Sequence, residues 1–398
     1  MQKKILILGA SIWQVPAIKK AKELDLNVIV VDMNPEAVGF KIPGITCEIA
    51  STIDAQAVLK IAKKHNVDGV MTVASDMPMR TVAVVSQELG LVGISEQTAF
   101  NATNKAAMRK CLKENNVPVP EFYEVETKEE YINAINTIAG KIIVKPVDNA
   151  GSRGVSLIYD KSHADAINSA FIYAKECSRS GNIMVEEYME GPEVSVETLS
   201  VDGKCHVIQI TDKLTTGAPH FVEMGHNQPS MHPEETRKRI ADVAKAAVNA
   251  IGILNGPSHT EIKITQSGPK IVELGARLGG DNITTHLVPL STGVDMVECC
   301  IKIALGEKPD LNIKHNKASA IRYMEAGVGT IVDIIGLDKA RAVEGIFEVS
   351  MVHGVGEESV EVKNSVERLG FVIAQNETPE KAIESCQKAL THINIIVK

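Results

Sequence analysis

Strand and helix signals alternate over the first hundred residues. The turn-rich Asn115-Asn116-Val117-Pro118-Val119-Pro120 then interrupts them, and an αβ pattern resumes beyond it. Together these predict an α/β chain of several domains. The length of 398 residues agrees, at roughly 150 residues per domain. Strands are expected at Lys4–Leu8, Val28–Val31, Gly69–Val73 and Leu91–Ile94, and helices at Val15–Leu24, Ala55–Lys64 and Met79–Leu89. Alternation of this kind builds βαβ units and a parallel sheet.

The Gly9-Ala10-Ser11 turn, with Asp32 at the end of the second strand, invites a dinucleotide-binding reading. A GxGxxG starting at Gly9 needs glycine at positions 11 and 14, which hold Ser11 and Gln14, so a nicotinamide dehydrogenase is disfavoured. Residues 1–100 are read as a Rossmann-like domain without a dinucleotide. Residues 101–192 form a second αβ region, with a helix near Lys128–Ile138, the strand Ile142–Lys145, a glycine loop and the strand Ile183–Glu187. A larger region over 193–310 holds the helix Pro233–Ile251 and two strands carrying Glu261 and Glu273. Residues 311–398 read as a small α+β appendage ending in the helix Pro379–Thr391 and the strand Ile393–Val397.

Composition excludes several function classes. A chain that is 44% hydrophobic and 23% charged is a folded protein with a sizeable core. The net charge is −8, no basic block occurs and aromatic residues make up 4%, so nucleic acid is not an expected partner. No membrane span is expected, and the apolar run Ile5–Leu8 is too short for a signal peptide, which makes the expected location cytoplasmic. Seven cysteines without CxxC spacing read as reduced thiols rather than a zinc site.

Three motifs carry chemistry. In Ile142-Ile143-Val144-Lys145-Pro146 followed by Gly151-Ser152-Arg153-Gly154, a strand ends in lysine and a glycine loop turns back. Such a loop can aim backbone N–H groups at phosphate oxygens, with Lys145 as a point charge beside them. It is not a Walker A loop, since no GKS or GKT follows. In the second motif an apolar strand runs into Glu186-Glu187-Tyr188, and a Gly191-Pro192 turn leads to Glu193. Carboxylates placed there can accept from an adenine amino group or ribose hydroxyls. The third motif is a predicted hairpin over Thr265-Gln266-Ser267-Gly268-Pro269 that would set Glu261 beside Glu273. Like charges opposed on a sheet repel, and a magnesium ion would remove the conflict. Arg277, four residues beyond Glu273, suits a carboxylate or a transferring phosphoryl group.

The succession Lys105, Lys145-Pro146, Gly151–Gly154, Glu186-Glu187-Tyr188, Glu193, Glu261, Glu273 and Arg277 resembles the ATP-grasp superfamily over nearly the whole chain. Pro219–His226 and Glu273–Asp281 resemble most the bacterial L-amino-acid ligases. The resemblance implies an ATP-grasp fold: a Rossmann-like pre-ATP-grasp domain, a small lid subdomain with the glycine loop, a large subdomain with the metal site and a C-terminal α+β appendage. It implies ATP and Mg2+ as cofactors, with Mn2+ as an alternative. Lys105, Lys145, Gly151, Ser152 and Gly154 would meet the phosphates. The segment Glu186, Glu187 and Tyr188 would hold adenine, partly through backbone groups, and Glu193 the ribose. Glu261 and Glu273 would bind metal, and Arg277 would steady the acyl phosphate and the tetrahedral species. The family often places an asparagine ligand two residues after the second glutamate, where this chain has Gly275.

Glu223, His226 and Asp281, in glycine-flanked segments, are the candidate substrate contacts, with Glu223 and Asp281 suited to an ammonium group. The expected reaction is phosphorylation of a carboxylate to an acyl phosphate, followed by coupling to an amine such as an amino acid. The competing readings are an ATP-grasp enzyme of nucleotide-precursor synthesis acting on formate or bicarbonate, and a silent ATP-binding module. The expected partners are small-molecule carboxylate and amine substrates. A homodimer is the default assembly.

Overall fold

The computed structural model describes residues 2–149 and 153–398. The apolar runs that open the chain form a parallel sheet in the order Thr46–Ile49, Asn27–Asp32, Lys4–Leu8, Gly69–Met71. Ile5, Leu6, Ile7 and Leu8 are fully buried, as a strand covered on both faces requires. Helices Val15–Glu23, Ala55–His65 and Met79–Leu89 pack around this sheet.

Leu91–Ile94, expected as a strand, is instead the link between two helices. Gly90 caps the helix before it at a φ of 63°, and the Ser95 hydroxyl caps the next by accepting from Thr98 N at 3.0 Å. The two caps use up the intervening residues. The remaining strand is Thr46–Ile49, a mostly exposed edge whose Thr-Cys-Glu-Ile sequence carries no buried apolar face to betray it.

The second sheet is antiparallel, in the order Phe122–Val125, Ile183–Glu187, Ile142–Pro146, Ser156–Ile158. With helices Lys128–Thr137 and Ala164–Cys177 it closes a core of its own around Tyr131, Ile135, Ile142, Val144 and Ile183. Its satellite core marks it as a separately packed layer beside the main body.

The largest sheet has eight antiparallel strands, ordered Gly268–Gly275, Gly256–Thr265, Glu193–Val201, Lys204–Thr215, Glu223–Gln228, Ala318–Met324, Gly370–Asn376, Ile346–Met351. Helix Glu234–Ile251 buries Ile240, Ala244, Ala247, Val248 and Ile251 at helical spacing. These residues share one core with Val194, Ile262 and Ile271 and with Leu6 and Leu8 of the parallel sheet. The sheet continues past residue 310, because Ala318–Met324 pairs with Glu223–Gln228. Helix Pro379–Leu390 packs on the far strands, and a three-stranded sheet (Glu358–Ser359, Gly329–Ile335, Asn394–Val397) completes the C-terminal region. All seven cysteines are free, and no described helix is long and apolar enough to cross a membrane.

The Gly191-Pro192 bend passes the chain from the second sheet to the third. Gly191 has a φ of 135°, and a Cβ there would lie 2.1 Å from the Ile264 carbonyl oxygen. Gly191→Ala therefore meets both backbone strain and a collision with main chain that cannot rotate away. The expected result is a loss of about 2 kcal/mol or more, read as a lower urea midpoint with an unchanged m-value.

Candidate active site

The hairpin of Gly256–Thr265 and Gly268–Gly275 sets Glu261 directly opposite Glu273. Each carboxylate borrows a cation from another element. Lys105, first residue of helix Lys105–Glu114, places Nζ 2.6 Å from Glu273 Oε1 and also donates to the Asn149 carbonyl at 2.8 Å. Lys213 lies on the strand Lys204–Thr215 and is 3% exposed. Its Nζ reaches Glu193 at 2.7 Å, Glu261 at 2.9 Å and Glu223 at 3.2 Å. Burial alone would lower the Lys213 pKa, but Glu193, Glu261 and Glu223 hold it well above the usual lysine value. Burial alone would raise Glu261, but Lys213 and His259 draw it well below the usual carboxylate range.

His259 lies two residues before Glu261 and so on the same strand face. Its Nδ1 is 2.6 Å from Glu197 Oε1 and its Nε2 is 3.6 Å from Glu261 Oε1. Glu197 is fully buried. Desolvation pushes His259 down most strongly, but the charge and hydrogen bond of Glu197 together with the Glu261 hydrogen bond take the pKa up to about 9. His259 therefore carries a proton at neutral pH and backs Glu261 with positive charge.

Lys145 and Glu186 line the same cleft from its buried side. Lys145 Nζ is 2.5 Å from Glu186 Oε2, and Arg109 Nε is 2.6 Å from Glu186 Oε1. All three side chains are buried. Burial would raise Glu186, but Arg109 and Lys145 bring it down to about 2. Desolvation in turn lowers Lys145, helped by Arg109 and Lys105 and opposed by Glu186. Glu186, expected in the segment beside adenine, borders the cleft with its carboxylate paired to these two cations. Neighbouring residues of a strand face opposite ways, so Glu187 turns outward to Lys270 at 3.0 Å. The Glu187 and Tyr188 N–H groups donate to the carbonyls of Glu121 and Lys141. Gly154 has a φ of 79°, and a Cβ there would lie 2.6 Å from Cys177 Cβ. Gly151 and Ser152 lie outside the described residues.

Two cavities result. One is lined by Lys105, Lys145, Glu186, Glu187, Tyr188, Glu193 and Phe221 among others. The other is lined by Asp76, Arg277, His220, His226, Asp281, Asn364 and Ser365. Glu223, Glu261 and Glu273 border both, so the opposed carboxylates form the partition. In the second cavity Arg277 forks onto Asp76, with Nε–Oδ1 at 2.9 Å and Nη2–Oδ2 at 3.0 Å. Asp281 was expected to receive an ammonium group. It is taken by Arg368 at 2.7 and 2.8 Å, with His226 Nε2 at 3.4 Å. Glu223 keeps its place at the partition. The sequence reading missed Asp76, Arg109, Lys213, His259 and Arg368, of which only His259 left a local signal, its two-residue offset from Glu261.

Residues 138–285 match the ATP-grasp domain family, and residues 322–398 match the L-amino acid ligase C-terminal domain 2 family. The chain thus carries an ATP-grasp domain followed by an L-amino acid ligase C-terminal domain. It is 29% identical over 277 residues to the alanine–anticapsin ligase of Bacillus subtilis, an alignment covering 64% of this chain and 58% of that one. It therefore spans under two thirds of that relative's length. The solved L-amino acid ligase from Bacillus licheniformis superposes with a TM-score of 0.85 at 24% identity, covering 100% of this chain and 99% of that one. Phosphoribosylglycinamide synthetase from Anaerococcus prevotii gives a TM-score of 0.81 at 23% identity, with 100% of both chains covered. At these identities the two structures speak for the ATP-grasp fold.

A divalent metal of the kind used by ATP-grasp enzymes fits the partition. The donors on offer are the two carboxylates of Glu261 and Glu273, and among the described residues no group of three or more His, Cys, Asp or Glu is placed to hold a metal ion. Magnesium commonly takes one or two carboxylates together with nucleotide phosphates, which matches Glu261 and Glu273. Gly275, where the family often has asparagine, has a steric cause. A Cβ there would lie 2.6 Å from Asp76 Oδ1 and 3.2 Å from the Arg277 guanidinium. The position is cleared for the Asp76–Arg277 pair.

Glu186→Gln removes the anion that compensates two buried cations, and is expected to cost about 3–5 kcal/mol in chemical denaturation. The sign with pH follows from a folded pKa of about 2 against an ordinary 4.5. The contribution of Glu186 is complete above about pH 4.5 and fades as pH falls toward 2. The stability gap between wild type and variant should therefore narrow over that window.

Proposed function

We propose that this chain is an ATP- and Mg2+-dependent ligase that phosphorylates the carboxylate of one substrate and couples the acyl phosphate to an amine, with an amino acid among its substrates. The observation that carries the reading is the partition. A lysine-rich cleft suited to phosphates and an arginine-bearing cavity suited to a carboxylate meet at Glu223, Glu261 and Glu273. The L-amino acid ligase match over 322–398 supports an amino acid as substrate, as does the alanine–anticapsin ligase relative.

In this reading Lys105 and Lys145 hold the ATP phosphates, and Glu261 and Glu273 would hold the metal, which would supply charge neutralisation of the phosphates. A substrate carboxylate oxygen beside Arg277 attacks the γ-phosphorus; the new O–P bond forms as the bond to the bridging oxygen breaks and ADP departs. The amine then attacks the acyl carbon, gives up its proton, and phosphate leaves with the electron pair of the C–O bond. Arg277, held in plane by Asp76, stabilises the oxyanion of the tetrahedral species. Glu223, with His226 beside it in the same cavity, receives the ammonium group of the amino acid. Phe221 and Tyr188, with ring centroids 6.4 Å apart, bring an apolar wall to the nucleotide side.

The test is phosphate release from ATP and Mg2+ in the presence of pooled amino acids, with formate and bicarbonate as controls. Release is expected only with amino acids, and Arg277→Ala is expected to lower kcat by about a hundredfold or more. Release driven by formate or bicarbonate alone would overturn the reading.

A further inference from the structure

The reaction above leaves one strongly built cluster without a role. Arg368, 3% exposed, lies two residues ahead of the strand Gly370–Asn376. Its Nη1 and Nη2 fork onto the Asp281 carboxylate at 2.8 and 2.7 Å. Nη1 also donates to the Glu223 carbonyl at 2.9 Å, and Nε to the Ser365 carbonyl at 2.9 Å. The guanidinium lies 3.7 Å from the centroid of the Tyr323 ring, whose hydroxyl donates to the Asp281 carbonyl at 3.0 Å. One side chain thus grips the backbone of Glu223 and the carboxylate of Asp281, both walls of the substrate cavity.

What it holds would not hold itself. Asp281 and Asn282 are consecutive non-glycine residues with left-handed φ values of 53° and 60°. Such a pair persists only when its surroundings over-determine it. Burial would raise the Asp281 pKa, but Arg368 and His226 keep it well below the usual carboxylate range. Without Arg368, Asp281 would be a largely buried anion beside His226, with a strained backbone free to relax. The fork geometry belongs to arginine, because a lysine offers one point of charge in place of two parallel bonds.

We propose that Arg368 is a positioning residue through which the C-terminal region shapes the substrate cavity. By fixing Asp281 and the Glu223 main chain it sets where His226 and the Glu223 carboxylate meet the amino acid. Asn364 and Ser365, carried on the same segment, form part of the wall against which the substrate side chain rests. This rests on the amino-acid reading of that cavity, and it makes the region beyond residue 310 a determinant of substrate choice.

The full-length protein would be compared with Arg368→Met and Arg368→Lys by steady-state kinetics and by amide hydrogen exchange without substrate. Arg368→Met is expected to raise the KM for the amino acid by about tenfold or more while the KM for ATP stays within about twofold. Exchange should quicken over residues 279–287 and stay unchanged over the hairpin 256–275. Arg368→Lys is expected to recover thermal stability but leave the amino-acid KM raised. Equal movement of both KM values, or unchanged exchange over 279–287, would overturn the proposal. A wild-type protein silent toward every amino acid would sink the ligase reading, and exchange alone would then decide whether Arg368 anchors the loop.

Discussion

Everything at this site depends on two like charges being held face to face. Glu261 and Glu273 are cross-strand partners on one hairpin, and such a pair is repulsive unless something else supplies positive charge. The lysines beside the pair come from outside the hairpin, and the hairpin itself contributes His259. Lys105 comes from the helix that follows the parallel sheet, and Lys213 from a strand two positions away in the large sheet. His259 adds a third positive group, kept protonated by the buried Glu197. The pair therefore exists only because several elements fold onto it, and the architecture reads as a device for delivering cations to one partition.

These cations are shared. Lys213 is contested by three carboxylates, and Lys105 divides itself between Glu273 and a carbonyl. Lys213 thus meets a carboxylate with each of its three N–H donors and borders the Arg277 cavity, whereas Lys105 borders the cleft that Lys145 lines. Lys145 is paired with the buried Glu186, which Arg109 also claims, and still borders the cleft. Arg109 further donates to the Val272 carbonyl at 2.5 Å, next to Glu273. The buried trio thus ties the second sheet to the strand that carries Glu273, and its stability and the registration of the cleft are one matter.

What the sequence revealed and what it hid divide along a physical line. Features with a local period or a turn chemistry were legible: the helix Met79–Leu89, the strand Ile183–Glu187 and the Glu261–Glu273 hairpin all lie where periodicity and Gly/Pro signals put them. Local reasoning failed where a short apolar run had no length to distinguish strand from loop, as at Leu91–Ile94. It also failed where side-chain direction decides the role. Glu186 and Glu187 are neighbours, so one must face inward, and only the register with Ile142–Pro146 and Phe122–Val125 says which. The partners of the predicted residues were invisible for a third reason. Asp76 meets Arg277 across 201 positions and Arg368 meets Asp281 across 87, and no window of local pattern spans such distances.

That third class of contact separates chemistry from choice. The groups suited to phosphoryl transfer all lie between Lys105 and Arg277, around the ATP-grasp match at 138–285. The second cavity draws its outer wall from Asn364 and Ser365 and its internal brace from Arg368, within the match that begins at residue 322. Because Ala318–Met324 joins the large sheet next to Glu223–Gln228, the C-terminal region is hydrogen-bonded to the strand that carries Glu223 and His226. Its strand joins the sheet through backbone, and the Arg368 side chain adds a second tie to the Glu223 carbonyl and Asp281. Substrate preference can then vary on one side of Glu223 while Glu261, Glu273 and their cations stay fixed on the other.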